Sequence, residues 1–455
     1  MRTLIVNGTV VNNGSSALGS ILINGEKIEK VLLAKDFATE DEYNNAVAQI
    51  SAEKIVDAAG CHILPGVIDD QVHFREPGNT HKATIASESA AAVLGGVTSF
   101  MDMPNTNPPT TTIADLEGKF AIAEKESVAN YSFYLGATNS NLEEVKKLNK
   151  RKVCGVKVFM GSSTGNMLVN DQETLSGVFK ESPVLIATHC EQEETIKANT
   201  AKYMEIYGEE IPFEYHYKVR SREACIECTK RALELAVKHG SKLHILHIST
   251  ADEIELIKEA RIINPDIMGE VCVHYMWFNC NDYKEYGSKI KCNPAIKTPD
   301  DMLAIRKAVK EGTISVVATD HAPHLPAEKE NNYTKAPSGI PLVQHSLQLM
   351  LELCRMGVFD IEDVVARMSH GPAQCFDIKE RGFINEGYYA DIAIVNLNCK
   401  DETSTVTPAY KCGWSPFAGK SFSSSIVHTF VNGTHVVENG KLTGLKNSMS
   451  LEFDR

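Results

Sequence analysis

Eight short apolar runs, each followed by a polar or helix-periodic segment, constrain this chain more than anything else in it. The runs end near His73, Asp102, Leu135, Lys157, His189, His247, His274 and Asp320. Helical periodicity follows at residues 83–95, 113–126, 220–240, 251–263 and 299–311. Continuous apolar runs are what parallel strands buried on both faces require. Eight of them with crossovers, spread over residues 59–384, predict a (β/α)8 barrel with insertions. His, Lys or Asp closes most of the runs. On a closed barrel these ends converge on one rim, the face on which such barrels carry their chemistry.

The flanks read differently. Residues 1–58 are strand-like, with turn signals at Asn7-Gly8 and Asn24-Gly25 and one helix-periodic stretch between 36 and 53. Strand signals return across 385–455, with a turn at Asn432-Gly433. Neither end is long enough to close a layer comfortably alone, so the two are expected to pair into one small β-sandwich domain beside the barrel. Polar loops at 162–170 and 328–337 follow barrel strands and are expected to be mobile, where a lid would sit.

The net charge of −13 argues against nucleic acid and anionic membranes as partners, though not against a small anionic ligand in a locally positive site. No apolar run reaches membrane-spanning length, and the N-terminus reads as a strand rather than a signal core. The twelve scattered cysteines predict a reducing, cytoplasmic setting. Cys225 and Cys228 form a lone Cys-x-x-Cys inside a helical run, which reads as helix packing rather than redox or zinc chemistry.

Around the first run the chain reads Gly66-Val-Ile-Asp-Asp-Gln-Val-His-Phe-Arg-Glu-Pro-Gly78. Strand alternation puts Gln71, His73 and Arg75 on one face, where an imidazole and a guanidinium can serve a metal and an anion together. His189 and His247 close later runs, and imidazole with carboxylate suits zinc. Lys157 at a barrel mouth needs a reason, because burying its charge is costly unless it is paired. It is either a carbamate formed with CO2 that bridges metals, or one half of a salt bridge to Asp320 or Glu191.

In order and at barrel spacing, several motifs together resemble the dihydroorotases of the amidohydrolase superfamily. They include Leu64-Pro-Gly-Val-Ile-Asp69, His73-Phe-Arg-Glu-Pro-Gly78, Met103-Pro-Asn-Thr106 and Gly155-Val-Lys157. Thr188-His-Cys-Glu191, His244-Ile-Leu-His-Ile-Ser-Thr250, Asn293-Pro-Ala and Thr319-Asp-His-Ala-Pro-His324 complete the series. The resemblance spans nearly the whole chain. It implies one or two zinc ions, held by carboxylated Lys157 with His189 and His247, and by His73, Lys157 and Asp320. It implies Arg75, Asn105, Asn293 and His324 as contacts to a small cyclic amide bearing a carboxylate, dihydroorotate or its ring-opened form N-carbamoyl-L-aspartate. Metal-bound hydroxide would be the nucleophile and Asp320 the general base and acid. A homodimer is the assembly that the resemblance suggests.

One departure stands out. Relatives carry His-x-His on the first strand, whereas this chain reads Gln71-Val-His73. Gln71 is then a weak neutral ligand, or the nearer metal site is thinly filled or empty. His244, His274 and His321 either orient ligands or sit hydrogen-bonded in the core. Hydantoinase, dihydropyrimidinase or allantoinase activity is the neighbouring alternative, and a non-catalytic scaffold is the alternative of another class.

Overall fold

A computed structural model describes residues 1–161, 167–169, 171–398 and 407–455. Eight parallel strands run in sequential order: β1 (Val67–Val72), β2 (Val97–Asp102), β3 (Asn130–Gly136), β4 (Gly155–Phe159), β5 (Ile186–His189), β6 (Leu243–Ile245), β7 (Ile267–Cys272) and β8 (Val316–Ala318). A parallel bridge between Val72 and His321 brings the last strand back to the first. The strands are buried almost throughout. Ile68, Met101, Tyr134, Ala187, Leu246 and Val316 fill the interior, and Phe376, Leu451 and Phe453 pack into the same cluster. A larger apolar layer joins the strands to the surrounding helices.

The helix boundaries follow from their caps. Helices Ile113–Glu126, Ala251–Ile263 and Pro299–Glu311 begin after Thr112, Thr250 and Thr298, each closing a reciprocal bond with an acidic residue three positions on. The helix Arg222–His239 buries Cys225 and Cys228 and ends at Gly240 in the left-handed region. Both thiols are free.

The chain's two ends form one nine-stranded mixed sheet. The strand Arg2–Asn12 pairs antiparallel with Ser15–Asn24 and parallel with Lys54–Asp57 and His62–Pro65. The C-terminal part joins through Ile392–Asn396, antiparallel to His62–Pro65. Asn7-Gly8 is not a turn. It is an irregularity within a continuous strand, where a Cβ on Gly8 would lie 2.5 Å from Ile63 Cδ1, so a larger residue would force that side chain to move. Asn432-Gly433 is the expected hairpin turn, both residues having positive φ.

The 328–337 segment is not a loose lid. Lys329 Nζ donates to the carbonyls of Pro337 (2.8 Å) and Gly339 (2.9 Å), and Lys291 Nζ donates to those of Tyr333 and Ala336, both at 2.6 Å. Each ammonium replaces water for carbonyls that a loop would otherwise leave exposed. Of the 162–170 loop, residues 162–166 and 170 lie outside the described residues.

One buried ion pair ties the barrel wall to the first βα turn. Lys119 Nζ sits 2.5 Å from Asp102 Oδ2, and Asp102 Oδ1 accepts the Phe74 N–H at 2.8 Å. Lys119→Met should therefore destabilise the fold by about 3–5 kcal/mol, because it leaves the carboxylate buried and unpaired. The check is the midpoint of denaturant unfolding, which should fall clearly below that of the unsubstituted protein.

Candidate active site

The strand ends and their loops enclose a cavity of about 580 Å³ at the C-terminal rim of the barrel. All ten residues singled out from the sequence line it: Gln71 and His73 at the end of β1, Lys157 in β4, His189 closing β5, His247 after β6, Asp320 after β8, and Arg75, Asn105, Asn293 and His324 in loops. Arg75, His247 and Asp320 have φ of 66°, 40° and 50°, a region that non-glycine residues rarely adopt. Strain of this kind persists only where the surroundings impose it, and it concentrates at working sites. Here it turns side chains that follow a strand back over the barrel mouth.

Two clusters face each other across the floor. In one, His73 Nε2 lies 2.9 Å from Asp320 Oδ1, and Gln71 Nε2 donates to the same oxygen at 3.1 Å. Asn105 Oδ1, expected to meet a ligand, lies 2.7 Å from His73 Nδ1 and so fixes that ring. Although burial pushes the Asp320 carboxyl upward, its bond to His73 and the nearby His274 and Lys157 hold it below the ordinary value. In the other cluster, His189 Nδ1 and His247 Nε2 stand 2.9 Å apart, and His189 Nε2 donates to Glu191 Oε2 at 2.9 Å. Burial lowers both imidazoles, so both are neutral near pH 7.

Lys157 lies between them, 1% exposed. Neither Asp320 nor Glu191 forms an ion pair with it; Glu191 pairs instead with Arg220 and His189. Burial draws the Lys157 ammonium down to about 8, against the pull of Asp320 and Glu270. Burial also pushes Glu191 up, but Arg220 and His189 outweigh it and hold the carboxyl at about 2.

These donors fit a divalent ion. His189 gives its Nε2 proton to Glu191, so its Nδ1 lone pair faces His247 Nε2. His247 Nδ1 is buried with no hydrogen-bond partner among the described residues. Two converging neutral imidazoles beside a neutralisable amine and a carboxylate can hold zinc. Gln71 fits less well, since its amide nitrogen is spent on Asp320 and its Oε1 lies 3.9 Å from Cys272 Sγ.

A cationic group forms one side of the cavity. Arg75 Nε donates to the Pro323 carbonyl, and its Nη2 lies 3.0 Å from His324 Nε2. Lys82 Nζ donates to His324 Nδ1 at 3.1 Å while pairing with Glu328. Sequence reasoning missed Lys82 and Arg220. Nothing in their spacing marks them, since each reaches the cavity only because a loop folds inward. Of the three histidines left open, His244 bonds Asp70 and His321 bonds Glu88 inside the core. His274 has no hydrogen-bond partner on either ring nitrogen among the described residues.

Residues 62–436 match the amidohydrolase family. The chain belongs to that family. It is 30% identical over 426 residues to a dihydroorotase of Methanosarcina acetivorans, covering 91% of this chain and 88% of that protein. It is also 30% identical over 447 residues to an allantoinase of Desulfitobacterium hafniense, covering 96% of each. Among solved structures, the L-hydantoinase (dihydropyrimidinase) from Arthrobacter aurescens superposes with a TM-score of 0.90 at 25% identity, over 98% of this chain and 99% of that one. This amidohydrolase thus shares its fold with the solved hydantoinase and its sequence equally with curated proteins of two names. No described helix is long and apolar enough to cross a membrane.

Proposed function

We propose that this cyclic amidohydrolase is a dihydroorotase, interconverting (S)-dihydroorotate and N-carbamoyl-L-aspartate. Arg75 carries the reading. Its guanidinium faces the cavity, and no carboxylate among the described residues forms an ion pair with it. A half-buried guanidinium with no carboxylate paired to it among the described residues is suited to an anionic ligand, which its planar fork can grip with two parallel bonds. Dihydroorotate carries a ring carboxylate, whereas hydantoin and dihydrouracil carry none.

His189, His247 and carboxylated Lys157 would hold one divalent ion, and His73, Lys157 and Asp320 a second, with Gln71 at most a weak ligand. When bound, such ions acidify water and polarise the substrate carbonyl. The chain's own groups do the rest. Arg75, Lys82 and His324 seat the carboxylate. Asn293 Oδ1, buried without a hydrogen-bond partner among the described residues, is available to accept a ring N–H. Asp320, its Oδ1 fixed by His73 and Gln71, takes the proton of the attacking water and passes it to the ring nitrogen as the C–N bond breaks. In cyclisation the same proton runs backwards.

Carboxylation of Lys157 requires its neutral amine: the Nζ lone pair forms a bond to the carbon of CO2, and a proton leaves to solvent. With the ammonium at about 8, the neutral fraction falls roughly tenfold for each pH unit below that value. Metal-free, decarboxylated protein given excess zinc should therefore regain activity progressively more slowly from pH 8 to pH 6 at fixed dissolved CO2. A pH-independent recovery rate would count against the carbamate.

The decisive assay sets dihydroorotate and N-carbamoyl-L-aspartate beside dihydrouracil, hydantoin and allantoin with zinc-loaded protein. Turnover of the first pair alone supports the proposal. Turnover of allantoin or dihydrouracil with none of dihydroorotate replaces it with the neighbouring activity, and inactivity on all five favours a scaffold.

A further inference from the structure

Beneath the rim lies a second group of metal-type donors that the proposed reaction does not use. Asp70 on β1, His244 on β6 and Glu270 on β7 are all wholly buried, and one donor atom from each lies within 4.8 Å of the others. His244 Nε2 is 2.8 Å from Asp70 Oδ2 and 3.4 Å from Glu270 Oε2. Asp70 Oδ1 and Glu270 Oε2 have no hydrogen-bond partner among the described residues. Acceptor oxygens of this kind are expensive to bury unsatisfied, more so when they belong to carboxylates.

We propose that Asp70, His244 and Glu270 bind a structural divalent cation, of the zinc class, inside the barrel and separate from the ions at the rim. One imidazole with two carboxylates is a donor set that zinc accepts. The observed separations of 2.8 and 3.4 Å bracket the edge of a zinc tetrahedron, roughly 3.3 Å for bonds of about 2.0 Å. The surroundings aim the donors. Cys375 Sγ lies 3.5 Å from His244 Nδ1, which turns Nε2 toward the two carboxylates. Glu270 spends Oε1 on the His247 N–H at 3.1 Å, leaving Oε2 for the cation. The same bond ties the inner group to the strained backbone of a rim histidine. The competing account is a proton rather than a metal: burial pushes Glu270 up to about 8, and a protonated Glu270 beside an imidazolium–Asp70 pair would also settle the charge.

The proposal stands whether or not dihydroorotate is the substrate. Its test is metal content after exhaustive native dialysis of zinc-grown protein against a chelator. A fully enclosed ion exchanges slowly, whereas rim ions open to the cavity are stripped. One zinc per chain should survive in the unsubstituted protein and in Lys157→Ala, which lacks a rim ligand, and none in Asp70→Asn or Glu270→Gln. Loss of all zinc from the unsubstituted protein, its disappearance in Lys157→Ala, or full retention in either carboxamide variant overturns the site. Should the variants not fold, X-ray absorption on dialysed His73→Ala protein decides, because without His73 the rim keeps only the two-imidazole pair of His189 and His247. An oxygen-rich shell with a single imidazole supports the inner site, and two imidazoles assign the ion to the rim.

Discussion

Asp320→Asn is expected to lower kcat by about 10³-fold while leaving zinc content largely intact, because the substitution removes the proton acceptor and keeps the shape. Asp320 is 9% exposed, and its carboxylate receives His73 Nε2 and Gln71 Nε2 on one oxygen. An amide there can still accept those contacts, but it can neither take a proton from water nor return one to a departing nitrogen. The loss should fall on kcat and kcat/KM together, the mark of an interaction made in the transition state. Activity within a few-fold of the parent would remove Asp320 from the mechanism. Since neighbouring groups hold this carboxyl below its ordinary value, it is ionised throughout the neutral range. An activity loss near neutral pH would therefore have to come from another group.

Arg75→Met should cost about 10²–10³-fold in kcat/KM for dihydroorotate, chiefly through KM, as the charge-assisted fork to the ring carboxylate is lost. Arg75→Lys should lose less, because a point charge stays but the paired geometry goes. Neither variant should impair hydrolysis of a neutral cyclic amide, if the parent shows any. That contrast separates a carboxylate anchor from a general packing role: comparable losses on charged and neutral substrates would show that Arg75 merely supports the wall through Pro323 and His324.

Much of the fold was legible in the sequence because it rests on local rules. The helix starts at Ile113, Ala251 and Pro299 are written in the Thr-x-x-acid boxes before them. The barrel strands show as apolar runs because both of their faces are buried. Asn7-Gly8 misled for an equally physical reason: the dipeptide that makes a hairpin also makes an irregularity where neighbouring side chains crowd the strand. The 328–337 segment looked loose because its polar residues suggested solvent, and nothing local announces that its own Lys329 and the distant Lys291 bind its carbonyls.

The sequence by itself determined which chemistry arrives at the rim: imidazoles, a lysine, an aspartate and an arginine at the ends of strands that a closed barrel must bring together. Only the tertiary structure decided how these groups pair. Lys157 has neither suspected carboxylate as an ion-pair partner, Glu191 goes to Arg220, Asn105 holds His73, and the Gln71 amide is spent on Asp320. Partnerships at 3 Å between residues far apart in the chain depend on side-chain direction and on which competitor lies nearer. Strand order limits those choices, but only the packed molecule makes them.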